Sequence, residues 1–116
     1  MCIYKVFAVD FDGTLCEENY PNIGTPFLDR IRYLIQLQKE GNKLVLWTCR
    51  CDKYLEEAVE WCKNHGLVFD AINENLPERI EQYGGDCRKL SADYYIDDKS
   101  ISLSMFDSVA KLSARR

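Results

Sequence analysis

The sequence predicts an α/β fold, a Rossmann-like three-layer sandwich built on a mainly parallel sheet. Short runs of β-branched and aromatic residues alternate along the 116 residues with longer segments of helical periodicity. Strands that alternate with helices in this way favour a parallel sheet with helices on its faces. Two of the short runs also end in carboxylates, at the point where open α/β sheets bind their ligands.

The amino-terminal half is predicted to hold two strands and two helices, over residues 3–9, 26–40, 43–48 and 52–65. The first strand is a mostly apolar run that gives way to acids and a glycine, as a buried strand does where it enters a loop. Thr25 and Pro26 have the pattern of an N-cap followed by proline at the first helical position. Asp52 is placed to cap the second helix. A glycine follows each helix and ends it.

The carboxy-terminal half is predicted to add two strands and two shorter helices, over residues 67–72, 77–83, 93–97 and 105–112. Pro77 begins the third helix, and the pair Gly84-Gly85 ends it. The fourth strand is an aromatic and β-branched run that again ends in acids. The serine-rich tail carries apolar residues at helical spacing, which predicts the last helix.

Composition and charge narrow the classes of function. The 19 acidic and 15 basic residues give a formal net charge of -4, so the bulk positive charge that accompanies nucleic-acid binding is absent. No apolar stretch approaches the roughly 20 residues that span a bilayer, and the first residues do not have the pattern of an export signal. We therefore expect a single domain over residues 1–116, in the cytoplasm and with no membrane partner.

The chain contains six cysteines, at positions 2, 16, 49, 51, 62 and 87. A disulfide framework is not expected, because periodic helices and strands replace the loop-rich scaffold that such frameworks hold together. A zinc site from Cys49, Cys51, Cys62 and His65 is a weak alternative, since the spacings are C-x-C and C-x-x-H and no second pair follows. We expect buried apolar thiols together with a few exposed ones.

Polar side chains follow three of the predicted strands. Asp10 and Asp12 come directly after the first strand, and Thr48 ends the second. Asp97 and Asp98 follow the fourth. Because the carboxyl ends of parallel strands lie at one edge of a sheet, these groups are expected to converge there. Converging carboxylates repel one another unless a cation joins them, and Mg²⁺ prefers oxygen ligands.

At this point the sequence resembles a known family, the haloacid-dehalogenase-like (HAD) phosphohydrolases, over essentially its whole length. Four segments carry the resemblance: Asp10-Phe11-Asp12-Gly13-Thr14, Leu46-Trp47-Thr48, Lys89 and Asp97-Asp98. The stretches Trp47–Arg50 and Asn73–Pro77 look particularly like the small members of this family found in bacteria and their phages. Too few residues separate the motifs to hold a cap domain. The resemblance is therefore to the capless subgroup, in which residues 17–24 would form a short flap beside an open site.

The resemblance implies a Mg²⁺-dependent phosphatase, a phosphomonoester hydrolase that acts through an aspartyl-phosphate. Asp10 would be the nucleophile, and Asp12 would donate a proton to the leaving oxygen and then activate water. Asp98 would bind the metal directly, with Asp97 beside it, although the missing glycine after this pair leaves the choice between them open. The residues that the resemblance implies at the metal are Asp10, Asp12, Asp97 and Asp98. The substrate phosphate would be bound by Thr48, Cys49, Arg50 and Lys89.

Several alternatives remain open from the sequence alone. Arg88 competes with Lys89 for the phosphate, and Arg50 could instead form a surface salt bridge with Asp52 or Glu56. A catalytically silent HAD-like phosphate-binding or regulatory module is the main alternative function, and a phospho-signalling receiver domain is a weaker one. The expected partner is a phosphorylated substrate, which could be a small metabolite, a nucleotide or a nucleic-acid end. An open site also leaves room for a homo-oligomer in which a neighbouring subunit covers it.

Overall fold

Parallel strands form a four-stranded sheet in the part of the chain that the structure describes. The computed structural model describes residues 4–114, with side chains as far as residue 108. The strands are β1 (Val6–Val9), β2 (Lys43–Leu46), β3 (Ala71–Ile72) and β4 (Tyr94–Ile96), and their order in the sheet is β3-β2-β1-β4. All three pairings are parallel, as the alternation of strands and helices predicted. Because β1 is flanked by β2 and β4, the residues that follow these three strands lie close together.

Helices and their connecting segments bury both faces of the sheet. The helices are α1 (Leu28–Lys39), α2 (Asp52–Asn64), α3 (Pro77–Tyr83) and α4 (Leu103–Ala114). On the face that carries Val9, α1 and α2 contribute Ile31 and Ala58 to one core. On the opposite face, Val6 packs with Leu76, just before α3. The predicted α/β, Rossmann-like architecture is confirmed.

The first helix begins later than the sequence predicted. Its N-cap is Phe27, whose side chain makes no capping hydrogen bond. The carbonyl of Thr25 instead accepts the N–H of Glu17 at 2.8 Å, and Pro26 forms an antiparallel bridge with the segment after β1. These backbone contacts close residues 17–24 into a loop, which we call the flap. The predicted cap at Thr25 is therefore wrong.

Other bounds also differ from the prediction. Asp52 is the first residue of α2 and Cys51 is its N-cap, so the predicted cap at Asp52 is also wrong. The third strand is confined to the end of its predicted range, at Ala71–Ile72, and the Gln38 side chain donates to the carbonyl of Val68 at 2.7 Å. The bounds of α3 agree with the prediction, and Gly84 ends this helix in the left-handed conformation.

Helix α4 is exposed along all of the side chains that the structure describes in it. Leu103 is 80% exposed and Phe106 is 58% exposed. The radius of gyration of 16.1 Å accordingly exceeds the roughly 13 Å of a compact chain of this length. Within residues 4–114, no helix combines the length and the apolar character that crossing a membrane requires.

The cysteines that the structure describes all have free thiols. Cys62 lies on the buried face of α2, where burial raises the pKa of its thiol to about 12, so this sulfur is a protonated, apolar packing group. Cys49 and Cys51 are exposed. A buried, protonated thiol is a poor metal ligand, which disfavours the zinc site considered from the sequence. Cys2 and Ile3 lie outside the described residues.

Candidate active site

The carboxyl ends of β1, β2 and β4 surround a cavity of about 430 Å³. A cavity of this volume falls in the range of small-molecule sites. Most of the sequence-predicted site residues line it, together with two flap residues and one lysine. The lining residues are Asp10, Asp12, Glu18, Tyr20, Thr48, Cys49, Arg50, Asp97 and Lys99.

Asp10 follows β1 at the point where β1 and β4 run side by side. Its N–H donates to the carbonyl of Ile96 at 2.9 Å, which holds Asp10 against the acids that follow β4. Carboxylate oxygens of Asp10, Asp97 and Asp98 all lie within 4.8 Å of one another. The predicted convergence of these three residues is therefore present in the fold, and it is a set of hard oxygen donors.

Gly13 makes the close approach of Asp98 to this cluster geometrically feasible. Its φ of +83° lies in the left-handed region, which glycine enters without steric cost. A Cβ atom at this position would lie 2.7 Å from Cγ of Asp98 and closer still to its Oδ2. The absent side chain therefore leaves the space that the Asp98 carboxylate occupies.

The electrostatics of the acidic cluster favour a proton or a cation on Asp10. Burial raises the pKa of Asp10 to about 6, and the negative charges of Asp97 and Asp98 add to the rise. Burial also opposes ionisation of Asp98, but hydrogen bonds within the cluster and the Lys99 ammonium outweigh it and lower the pKa of Asp98. A cation between these carboxylates would relieve the same repulsion that protonation of Asp10 relieves.

Asp12 lies two residues farther along and faces the loop after β2. Arg50 Nε donates to its Oδ2 and Arg50 Nη2 donates to its Oδ1, both at 2.8 Å. The Arg50 side chain is 1% exposed and that of Asp12 is 16% exposed. Bidentate, charge-assisted pairs of this kind are strong and fix orientation. The ion-pair partner of Arg50 is thus Asp12, and not the Asp52 or Glu56 considered from the sequence.

Thr48 is held at the cavity by two hydrogen bonds at the end of β2. Its N–H donates to Oδ1 of Asn73 at 2.8 Å, and its Oγ1 accepts the N–H of Arg50 at 3.1 Å. Cys49 lies between them, is exposed and lines the same cavity. The loop from Thr48 to Arg50 therefore presents a hydroxyl and a thiol toward the cavity from a fixed backbone.

Of the predicted site residues, Asp98 does not line the cavity but joins the acidic cluster beside it, and Lys89 does neither. Its ammonium lies 5.4 Å from the centre of the Tyr95 ring, and that ring is 5.5 Å from the ring of Trp47. Lys99 lines the cavity instead, with its Nζ 3.4 Å from Oδ2 of Asp98. The charge of Asp98 raises the pKa of Lys99, so this ammonium stays charged.

A solved structure of a conserved protein from Bacteroides thetaiotaomicron is similar to this chain. The two sequences are 36% identical, and the match covers 97% of this chain and 93% of that chain with a TM-score of 0.76. This chain belongs to the same family as that protein. No family model and no curated protein matches the sequence. The shared architecture supports the α/β, Rossmann-like fold described above.

Two residues at the site were missed by reasoning from the sequence. Asn73 has a left-handed φ of +53°, and its side chain accepts the N–H of Thr48. Lys99 was passed over although it directly follows the second acid pair. The available signals were the position of Asn73 just after a buried strand and the position of Lys99 at a strand end.

Proposed function

We propose that this protein is a Mg²⁺-dependent phosphomonoester hydrolase that acts through an aspartyl-phosphate on Asp10. The observation that carries the proposal is the cluster of Asp10, Asp97 and Asp98, whose negative charge Lys99 offsets only in part. The resemblance of the sequence to HAD-like phosphohydrolases supports it, because that resemblance implies metal binding by these same residues.

The donor set fits Mg²⁺. This ion takes oxygen ligands in a small coordination shell and usually keeps several waters for substrate phosphate. The three carboxylates offer oxygens within 4.8 Å of one another. The pKa of Asp10 is raised first by burial and then by the negative charges of Asp97 and Asp98, and a cation relieves that repulsion. The space left by Gly13 admits Asp98 to the set. When bound, Mg²⁺ would neutralise charge and polarise the phosphoryl group.

The proposed reaction has two steps that use Asp10 and Asp12. In the first, an Oδ atom of Asp10 forms a bond to phosphorus and the bond to the leaving oxygen breaks. That oxygen takes a proton from Asp12, which enters this step as the carboxylic acid and leaves it as the carboxylate bound by Arg50. In the second, water attacks the phosphorus of the aspartyl-phosphate and passes a proton to Asp12. The bond between phosphorus and Asp10 then breaks, which releases inorganic phosphate and restores both side chains.

The remaining cavity residues would hold the transferring phosphoryl group. Thr48 and Cys49 present polar groups from a fixed loop, and Lys99 supplies a charged ammonium at the cavity. Placed charge and hydrogen-bond donors contribute most of the stabilisation in phosphoryl transfer. Lys89 would have to move off the Tyr95 ring to contribute. The flap residues Glu18 and Tyr20 form the cavity wall that would meet the rest of the substrate.

The proposal is tested by assaying the protein with Mg²⁺ on a panel of phosphomonoesters, including nucleotides, sugar phosphates and phosphorylated oligonucleotide ends. We expect turnover that EDTA stops and Mg²⁺ restores. Asp10→Asn should abolish turnover, because an amide cannot form the aspartyl-phosphate. Asp29→Asn is the matched control, since this fully exposed carboxylate lies on α1 and away from the cavity.

Two results would contradict the proposal. If turnover survives in Asp10→Asn, Asp10 is not the nucleophile. If zinc alone restores activity after EDTA, magnesium is not the metal of the reaction. A protein that binds Mg²⁺ and phosphate but hydrolyses no member of the panel would support the silent phosphate-binding module instead.

A further inference from the structure

Arg50 is the largest fully buried side chain in the part of the chain that the structure describes, and only 2% of the residue is exposed. A charged group is rarely buried so completely unless every polar atom has a partner. The partners of its guanidinium therefore determine what Arg50 does beside the cavity.

Every N–H donor of the guanidinium is engaged. Two of its five donors bind the Asp12 carboxylate, as described above. The other three donate to backbone carbonyls: Nη1 to Pro21 at 3.2 Å and to Tyr54 at 3.4 Å, and Nη2 to Asn22 at 3.0 Å. No N–H donor remains for a substrate phosphate in this arrangement.

The faces of the guanidinium are covered as well. Its central carbon lies 5.1 Å from the ring centre of Phe11, which is buried in the core, and 5.1 Å from that of Tyr20 in the flap. Both distances suit cation–π contact. Arg50 therefore joins three parts of the molecule: the segment after β1, the flap, and the first turn of α2.

We propose that Arg50 is a positioning residue that holds the Asp12 carboxylate and the flap backbone as one unit, and not a ligand of the substrate phosphate. The fork of the guanidinium fixes both oxygens of Asp12, so the carboxyl cannot rotate away from the cavity. The same side chain anchors the flap through two carbonyls. This inference rests on the proposed function, since it gives Asp12 the orientation that proton transfer needs.

Positioning and phosphate binding predict different kinetics for Arg50→Lys. Lysine keeps the positive charge but cannot make the bidentate fork. If Arg50 positions Asp12, kcat should fall roughly 10- to 100-fold on alkyl phosphates, whose leaving oxygen needs a proton. On p-nitrophenyl phosphate, whose leaving group departs without one, the first-turnover release of nitrophenolate should slow by under about threefold, whereas steady-state kcat should still fall because the second step needs Asp12 as base. KM should not rise on either substrate.

The test compares Arg50→Lys with Arg79→Lys, which makes the same change in an arginine–aspartate pair outside the site. Arg79 pairs with Asp93 at 2.9 Å, at the opposite end of β4. Amide hydrogen exchange of residues 17–24 is measured alongside the kinetics. We expect faster flap exchange in Arg50→Lys and unchanged flap exchange in Arg79→Lys. If Arg50→Lys does not fold, Asp12→Asn serves for the exchange measurement, because it removes one of the two acceptors of the fork.

The two proposals fail in different ways. Wild-type protein that hydrolyses no phosphomonoester contradicts the proposed function, and flap exchange then decides alone whether Arg50 anchors the flap. Wild-type activity combined with an Arg50→Lys variant that raises KM equally on both substrates would make Arg50 a phosphate ligand and overturn the inference. Unchanged flap exchange in Arg50→Lys would overturn it as well.

Discussion

Asp10 and Asp12 are one residue apart in the sequence, yet they lie in two opposite electrostatic regions of the site. Asp10 lies among carboxylates that follow β4, and burial together with their charge raises its pKa to about 6. Asp12 faces the loop after β2, where a buried guanidinium binds both of its oxygens. Phe11 separates the two in the sequence, and both line one cavity although their partners differ.

One short motif thus supplies two kinds of carboxylate. The negative charges around Asp10 are only partly balanced by Lys99, which favours a bound cation. Such surroundings suit a nucleophile that also binds metal. Compensated charge around Asp12 favours a fixed orientation, which suits a residue that transfers protons. Carboxylates with contrasting surroundings are a common basis for divided roles in catalysis.

Asparagine substitution should have different effects on turnover at Asp10 and at Asp12, because the two carboxylates perform different chemistry. Asp10→Asn should form no covalent intermediate, whereas Asp12→Asn should slow overall turnover by roughly 10²–10⁴-fold while still reacting once with p-nitrophenyl phosphate. The aspartyl-phosphate should then accumulate in Asp12→Asn, because the second step lacks its base. Intact mass spectrometry of acid-quenched protein measures it.

An equal absence of phosphoenzyme in both variants would break the assignment of separate roles. Asp29→Asn again controls for the loss of a carboxylate elsewhere.

The next effect concerns the region of Asp10 alone. Gly13→Ala should destabilise the fold by about 1–2 kcal/mol, the usual cost of a side chain in the left-handed region. The new Cβ should also push Asp98 out of the cluster, so Mg²⁺ affinity should fall. Urea denaturation and calorimetric titration with Mg²⁺ measure the two effects. Gly84→Ala is the matched control, because its φ is also positive and nothing lies within 4 Å of its Cβ position.

The two glycine variants should therefore lose similar stability, and only Gly13→Ala should lose Mg²⁺ affinity. Normal affinity in Gly13→Ala would show that Asp98 is not needed for the metal.

Much of this fold and part of this site follow from local sequence patterns. Proline and glycine mark both ends of α3, so its bounds were predicted correctly. The convergence of Asp10 with Asp97 and Asp98 follows from parallel topology, which needs only the alternation of strands and helices. The first needs only the residues at the ends of the helix, and the second needs only the order of strands and helices along the chain.

The features that could not be predicted depend on contacts between distant segments. Asp12 and Arg50 are 38 residues apart, and nothing near either residue indicates the other. Thr25 has the local pattern of an N-cap, but its carbonyl closes the flap with Glu17. Propensity is a weak signal that tertiary hydrogen bonds override.

A smaller effect concerns stability of the metal-free protein as pH changes. The folded-state pKa of Asp10, about 6, is above its model-peptide value of 3.8, so folding favours the protonated form. Its contribution to stability is therefore fully present below about pH 4 and is lost as pH rises through about 6. At pH 7 in EDTA, Asp10→Asn should be more stable than wild type by about 1 kcal/mol, after allowance for solvent screening.

Urea denaturation between pH 4 and 7 measures this difference. Asp93→Asn is a control of opposite sign. The N–H of Val6 and the charge of Arg79 lower the pKa of Asp93, so its contribution is present at neutral pH and is lost as pH falls below its ordinary value. If Asp10 made no difference to stability across this pH range, the proposed effect of burial and nearby negative charge on its pKa would be contradicted.

The smallest effect is expected from a substitution of Thr48, in the loop after β2. Thr48→Val keeps the shape of the side chain but removes the oxygen that accepts the N–H of Arg50 at 3.1 Å. Loss of one such hydrogen bond should lower the free energy of unfolding by about 0.5–1.5 kcal/mol. Because Asn73 still binds the N–H of Thr48, the strand end should stay in place and Mg²⁺ affinity should be unchanged. Thr25→Val, at an exposed position just after the flap, is the control in urea denaturation and calorimetric titration. A Thr48→Val variant that loses Mg²⁺ affinity would mean that the two regions are coupled through this loop, and the contrast between Asp10 and Asp12 would then be a property of one connected network.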